Sequence, residues 1–142
     1  MKLNAAQLRT REPDPEILKK IKKNPIYIVL DNVYDTYNVG SIFRLADAVA
    51  AKKIYLCGQT ETPPNPRIKK ASISTWKWVD WEYAETAVDA LRVIPDLIRD
   101  PINNNIDSRF RGNDRLQIVA IEQHSKSIPL SKFKPEFPLA IV

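Results

Sequence analysis

Asn38, Gly40 and Arg44 stand in N-x-G-x-x-x-R spacing, with Asp47 three residues further on. An amide, a residue without a side chain, a fixed cation and a carboxylate in so short a run can do chemistry on an anionic ligand. Gly40 allows close backbone approach. Asn38, read as lying just before the first helical residues, offers a side-chain oxygen to free backbone N–H groups. The positive end of a helix dipole then favours a phosphate. The bland counterpart is that Arg44 and Asp47 form an i, i+3 surface pair worth a few tenths of a kcal/mol.

These residues have to be positioned by the stretch Ile26 to Ala51, IYIVLDNVYDTYNVGSIFRLADAVAA. It reads as a buried strand over Ile26 to Leu30, a polar turn and an amphipathic helix. Ile42, Leu45, Ala46 and Val49 recur at helical spacing and are expected to face the sheet. Gly40, Arg44 and Asp47 are then expected on the open side. A second apolar strand, Lys53 to Leu56, completes a βαβ unit. That topology places the Asn38 to Arg44 segment at the carboxyl end of the first strand, where ligand sites of open α/β sheets collect.

With 142 residues the chain is one domain's worth. A net charge of +5 favours a polyanionic partner. One cysteine and one histidine exclude an internal disulfide, a cysteine cluster and a multi-histidine metal site. No metal is expected. There is neither a membrane-length apolar run nor a signal-peptide core, so no membrane partner and a cytoplasmic address are expected.

Residues 1–25 read as a basic N-terminal arm. Pro13 and Pro15 open a short helix carrying Lys19, Lys20, Lys22 and Lys23, which either lie on a nucleic-acid backbone or form a solvated face. From Gln59 to Ser74 the chain is proline-rich and then cationic. Arg67, Lys69 and Lys70 are candidate phosphate contacts there, the alternative being a loop kept soluble by its lysines. Trp76, Trp78 and Trp81 favour a short strand from about Trp78 to Trp81, with core packing or base stacking as their roles. Thr86 and Asp89 start a helix that Pro95 is expected to end or kink. The following segment, about 93–115, lacks any sustained period. VIPDLIRDPINNNIDSRFRGND resembles translated copies of interspersed palindromic repeats, which makes it an inserted loop. Leu116 to Ile121 reads as a buried strand and Pro138 to Val142 begins another, which leaves the chain looking cut short.

The run NVGSIFR after a strand ending in LDN resembles the first motif of the SpoU family of RNA 2′-O-ribose methyltransferases. IYLCGQTETPPNPRIKKASISTWKWVDWEY and QIVAIEQHSKSIPLSKF are similar to its second and fourth strands with their flanks. The resemblance implies a single α/β domain over 26–142, a parallel sheet with flanking helices of the SPOUT type. Its C-terminal trefoil knot would bind S-adenosylmethionine and form a homodimer. It implies transfer or ribosomal RNA as partner, with Arg44 and Asn38 as catalytic residues and Gly40 as the close-approach position; Arg67, Lys69 and Lys70 remain candidate RNA contacts from their charge. A ribose hydroxyl needs its proton removed or its oxyanion stabilised as it attacks the donor methyl. Because a guanidinium stays protonated, oxyanion stabilisation or a phosphate grip is the role open to Arg44.

The family's G-x-E turn and asparagine-serine segment, expected beyond the strand at Pro138, are absent. The knot is therefore expected to be missing or incomplete, no cofactor-binding residue is assigned, and the chain alone is expected to be inactive and prone to aggregate. Two other readings stay open: a non-catalytic RNA-binding module and a decayed gene fragment.

Overall fold

In a computed structural model that describes residues 4–98 and 115–142, five parallel strands form one sheet: β1 (Asn24–Asp31), β2 (Ala51–Cys57), β3 (Trp81–Ala84), β4 (Gln117–Val119) and β5 (Leu139–Ile141). Their spatial order is β3-β2-β1-β5-β4. The last strand in the chain thus lies inside the sheet, paired with β1 on one side and β4 on the other. β4 was expected to be buried along Leu116 to Ile121. It is instead a three-residue strand at the edge of the described sheet with Ile118 exposed, because among the described residues only β5 pairs with it.

Two apolar layers sandwich the sheet, as parallel strands require. On one face α3 (Thr36–Ala48) and α4 (Pro66–Ser72) cover Leu30, Ile54 and Leu56. On the other, α5 (Ala87–Ile98) covers Tyr27, Val29, Tyr55 and Cys57 through Ala90 and Ile94. Thr86 opens α5 as expected, accepting from the Asp89 N–H at 3.1 Å while its hydroxyl donates to the Asp89 carboxylate at 2.6 Å. The helix runs on past Pro95 to Ile98, so the proline does not end it. Residues 93–98 of the expected insertion thus belong to α5, whereas 99–114 lie outside the described residues.

Three further expectations are corrected. The cationic stretch after Gln59 contains α4. Asn65 caps it by accepting from Arg67 N–H at 2.9 Å, and Pro66 supplies the first-turn residue that lacks an N–H. β3 begins at Trp81 and not at Trp78, because Trp78 closes a 3-10 turn over Thr75–Lys77 by donating its N–H to the Thr75 carbonyl at 2.9 Å. The N-terminal arm holds two short helices, α1 (Ala5–Thr10) and α2 (Pro15–Lys20), and it folds back onto that turn. Lys77 pairs with Glu12, Lys23 Nζ donates to the Trp78 carbonyl at 3.4 Å, and the Arg11 guanidinium lies 5.8 Å from the Trp78 ring centre.

No described helix is long and apolar enough to cross a membrane. Among the described residues no three His, Cys, Asp or Glu side chains gather as a metal site.

Candidate functional site

α3 sets the site, and it presents a different face from the one its apolar pattern suggests. Its buried residues are Thr36, Val39, Gly40, Phe43 and Ala46, whereas Leu45 is 64% and Val49 44% exposed. The helix is covered by α4 as well as by the sheet, which turns the buried arc toward Gly40 and Phe43. Its N-cap is Asp35, whose carboxylate accepts from Tyr37 N–H at 2.8 Å. Asn38 therefore does not cap the helix; it is an exposed first-turn residue.

Gly40 lies on the buried face of α3 and not on the open one. Close approach is what it provides, but to α4. A Cβ there would stand 2.6 Å from the Ala71 Cβ and 2.9 Å from the Ile68 carbonyl oxygen.

Arg44 lies eight residues into α3 from Thr36, about 12 Å along the axis, so it is well removed from the carboxyl edge of the sheet. Asn38 and Arg44 are about 9 Å apart along the axis and about 120° apart around it, on different flanks. Arg44 instead lines a cleft of about 420 Å3 with Arg11, Asp47, Ile73, Thr75 and Trp78. Among the described residues its guanidinium has neither an ion pair nor a hydrogen bond, and the i, i+3 pair with Asp47 is not formed.

The opposite wall is held by an unusual backbone. Ile73 and Ser74 take consecutive left-handed conformations, φ 53° and 68°. That is strained for a β-branched residue. The turn they make swings the chain from α4 into Thr75–Lys77 and delivers Thr75 and Trp78 to the cleft. Arg67, Lys69 and Lys70 are exposed on α4 and outside the cleft, and none has an ion pair among the described residues. Sequence reasoning missed Arg11, Ile73 and Thr75 as site residues. Trp78 was signalled only as one of three clustered tryptophans, of which Trp76 and Trp81 pack on the core.

Desolvation at the cleft wall raises the Asp47 carboxyl above its ordinary range, and the Lys23 ammonium offsets part of this. A carboxyl raised by folding favours the native state when protonated, and that contribution is lost as pH rises through its native pKa. Asp47→Asn should therefore raise the melting temperature at pH 7. The gain should shrink as pH falls and vanish below about pH 4, where both chains are neutral at this position. Cys57 is no nucleophile: burial, with Asp31 and Asp89 adding, pushes its thiol up to about 11.

The carboxyl edge of β1 and β2 is closed on itself. Thr60 Oγ1 donates to the Leu30 carbonyl and accepts from Val33 N–H, both at 2.9 Å. Asn32 Oδ1 accepts from Gln59 N–H at 3.0 Å. It sits so close over Gly58, at φ +62°, that a side chain on Gly58 would collide with it.

The family model for the SpoU rRNA methylase family matches residues 25–99, more than half of the chain and all but the first residue of the β1-α3-β2-α4-β3 unit. The chain belongs to the SpoU rRNA methylase family.

Solved structures agree on the fold. An rRNA methyltransferase from Sinorhizobium meliloti is 24% identical with a TM-score of 0.61, the match covering 94% of this chain and 42% of that one. A TrmH/SpoU tRNA modifying enzyme from A. aeolicus is 22% identical with a TM-score of 0.60, covering 96% and 57%. The SpoU methyltransferase AviRb from Streptomyces viridochromogenes is 14% identical with a TM-score of 0.57, covering 92% and 46%. This SpoU chain thus spans about half the length of the structures it resembles. No curated protein matches it.

S-adenosylmethionine serves the SpoU family, and one structure similar to this chain, at 23% identity, is AdoMet-bound. At the carboxyl edge of β1 and β2 the Thr60 hydroxyl pairs with the Val33 N–H and the Leu30 carbonyl, and the Asn32 side-chain oxygen with the Gln59 N–H.

Proposed function

We propose that this chain supplies the RNA-facing half of a SpoU-type 2′-O-methylation site, with Arg44 as the group that grips the substrate. The observation that supports it is the guanidinium of Arg44, which lines a cleft and has no partner among the described residues. An arginine kept free of its own i, i+3 carboxylate is available to a ligand. Five N–H donors in a planar fork suit a phosphate or a ribose oxygen on which negative charge develops. Asn38, on the other flank near the start of α3, contacts the chain of the same RNA further along. Arg67, Lys69 and Lys70 extend the cationic surface across α4. Transfer or ribosomal RNA is the partner this reading implies.

The test is salt-dependent binding. Arg44→Ala should weaken single-stranded RNA binding about five- to tenfold at low salt and make the plot of log affinity against log salt shallower by about 0.7, the share of one phosphate contact. Arg44→Lys should restore the slope but not all of the affinity, because the planar fork is lost. An unchanged slope for Arg44→Ala would remove Arg44 from the RNA surface.

A further inference from the structure

The cleft that contains Arg44 also holds an indole ring, and a phosphate grip makes no use of it. Trp78 is half-buried at the cleft wall, and the Arg11 guanidinium faces its ring at 5.8 Å, the wide end of the cation–π range. The backbone that carries the ring is held: the Trp78 main-chain N–H closes the Thr75–Lys77 turn, its carbonyl accepts from Lys23, and the turn is clamped to the arm by Lys77 and Glu12. Arg11 is exposed, with no ion pair among the described residues, so it is free to move off the ring or over anything laid upon it.

We propose that Trp78 and Arg11 form a stacking subsite for one unpaired base of single-stranded RNA, next to the nucleotide whose backbone Arg44 holds. This rests on the RNA-binding reading above and adds to it a recognition element outside the N-x-G-x-x-x-R motif. Aromatic rings and guanidinium planes are the two surfaces on which proteins stack splayed-out bases. Here one of each lies against the other in the lining of a cleft whose volume falls in the range of small-ligand sites. Asp47, on α3 beside Arg44 in the cleft lining, fits a nucleoside better than a free anion. Its carboxylate repels a second phosphate but accepts from a base N–H or a ribose hydroxyl, as the Thr75 hydroxyl also can. The arm is then part of the site, because it supplies Arg11 and holds the turn that carries Trp78.

The experiment uses the 142-residue chain and a twelve-nucleotide oligouridylate with one central 2-aminopurine, whose emission falls on stacking. Binding should quench the probe. Trp78→Leu, checked for fold by circular dichroism, should abolish the quench and weaken binding about tenfold while leaving the salt slope as it was. Photocrosslinking of the unaltered chain to a 5-iodouridine oligomer needs no variant and should map to Trp78. Crosslinks confined to the exposed Tyr34 and Tyr37, or undiminished affinity and quench in folded Trp78→Leu, would overturn the subsite. If Trp78→Leu is silent while Arg44→Ala still flattens the salt slope, the stacking inference alone falls. If the crosslink maps to Trp78 while Arg44→Ala is silent, the Arg44 reading alone falls. Absence of RNA binding at low salt overturns both.

Discussion

Gly40→Ala is expected to lower folding stability by about 2–3 kcal/mol, seen as a fall in the urea midpoint with the slope unchanged. The added methyl has nowhere to go. It meets the Ala71 Cβ at 2.6 Å, the Ile68 carbonyl oxygen at 2.9 Å and the Ser72 N–H at 3.0 Å, and two of those three are backbone that cannot rotate away. The helices must part, and α3 carries Val39 and Phe43, both fully buried against the sheet. At this chain length the cost corresponds to a melting temperature lower by roughly 6–10 °C. The same variant separates two explanations for the glycine of the N-x-G-x-x-x-R run. If Gly40 is there to let α4 lie flat on α3, the fraction that remains folded binds RNA as the parent does. A phosphate cradle at Gly40 requires the folded fraction to lose affinity, and titration with single-stranded RNA well below the melting temperature decides between them.

That glycine also shows which parts of the fold were legible in the sequence. Its spacing to Arg44 and its place after a buried strand identified the β1-α3-β2 unit, because strands covered on both faces carry continuous apolar runs. The orientation of α3 was not legible. Ile42, Leu45, Ala46 and Val49 make as good a stripe as Val39, Phe43 and Ala46, and the choice depends on α4, which packs against Gly40 from a segment read as loop. Prolines and paired lysines hid that helix, although Asn65 followed by Pro66 was a start signal. The cleft was less legible still. Arg11, Arg44 and Trp78 come from the arm, from α3 and from the turn beyond α4, and they meet only because Ile73 and Ser74 hold a left-handed backbone that two non-glycine residues give no reason to expect. Local patterns therefore located the βα unit and its free arginine, while the ring beside that arginine depended on tertiary packing.

Thr60→Val should cost about 2–3 kcal/mol despite its near-identical shape. Thr60 is buried, and its hydroxyl holds both sides of the turn that leads into α3. It donates to the Leu30 carbonyl at the end of β1 and accepts from Val33 N–H at the start of the turn, both at 2.9 Å. Valine keeps the volume and removes both bonds, leaving a buried carbonyl and a half-buried N–H without partners. Asn32 and Gln59 tie the same two chain segments together at 3.0 Å, so the turn should loosen without detaching. Hydrogen exchange should report this as faster exchange at Val33 and through the first turn of α3, with β2 unaffected. Because the cleft lies about 12 Å further along α3, RNA affinity of the folded protein should change less than twofold. A large loss of affinity in Thr60→Val would move the RNA surface from the Arg44 cleft to the carboxyl edge of the sheet. A loss of stability alone leaves that edge as the structural tie between β1 and β2 and keeps the proposed RNA surface at the Arg44 cleft.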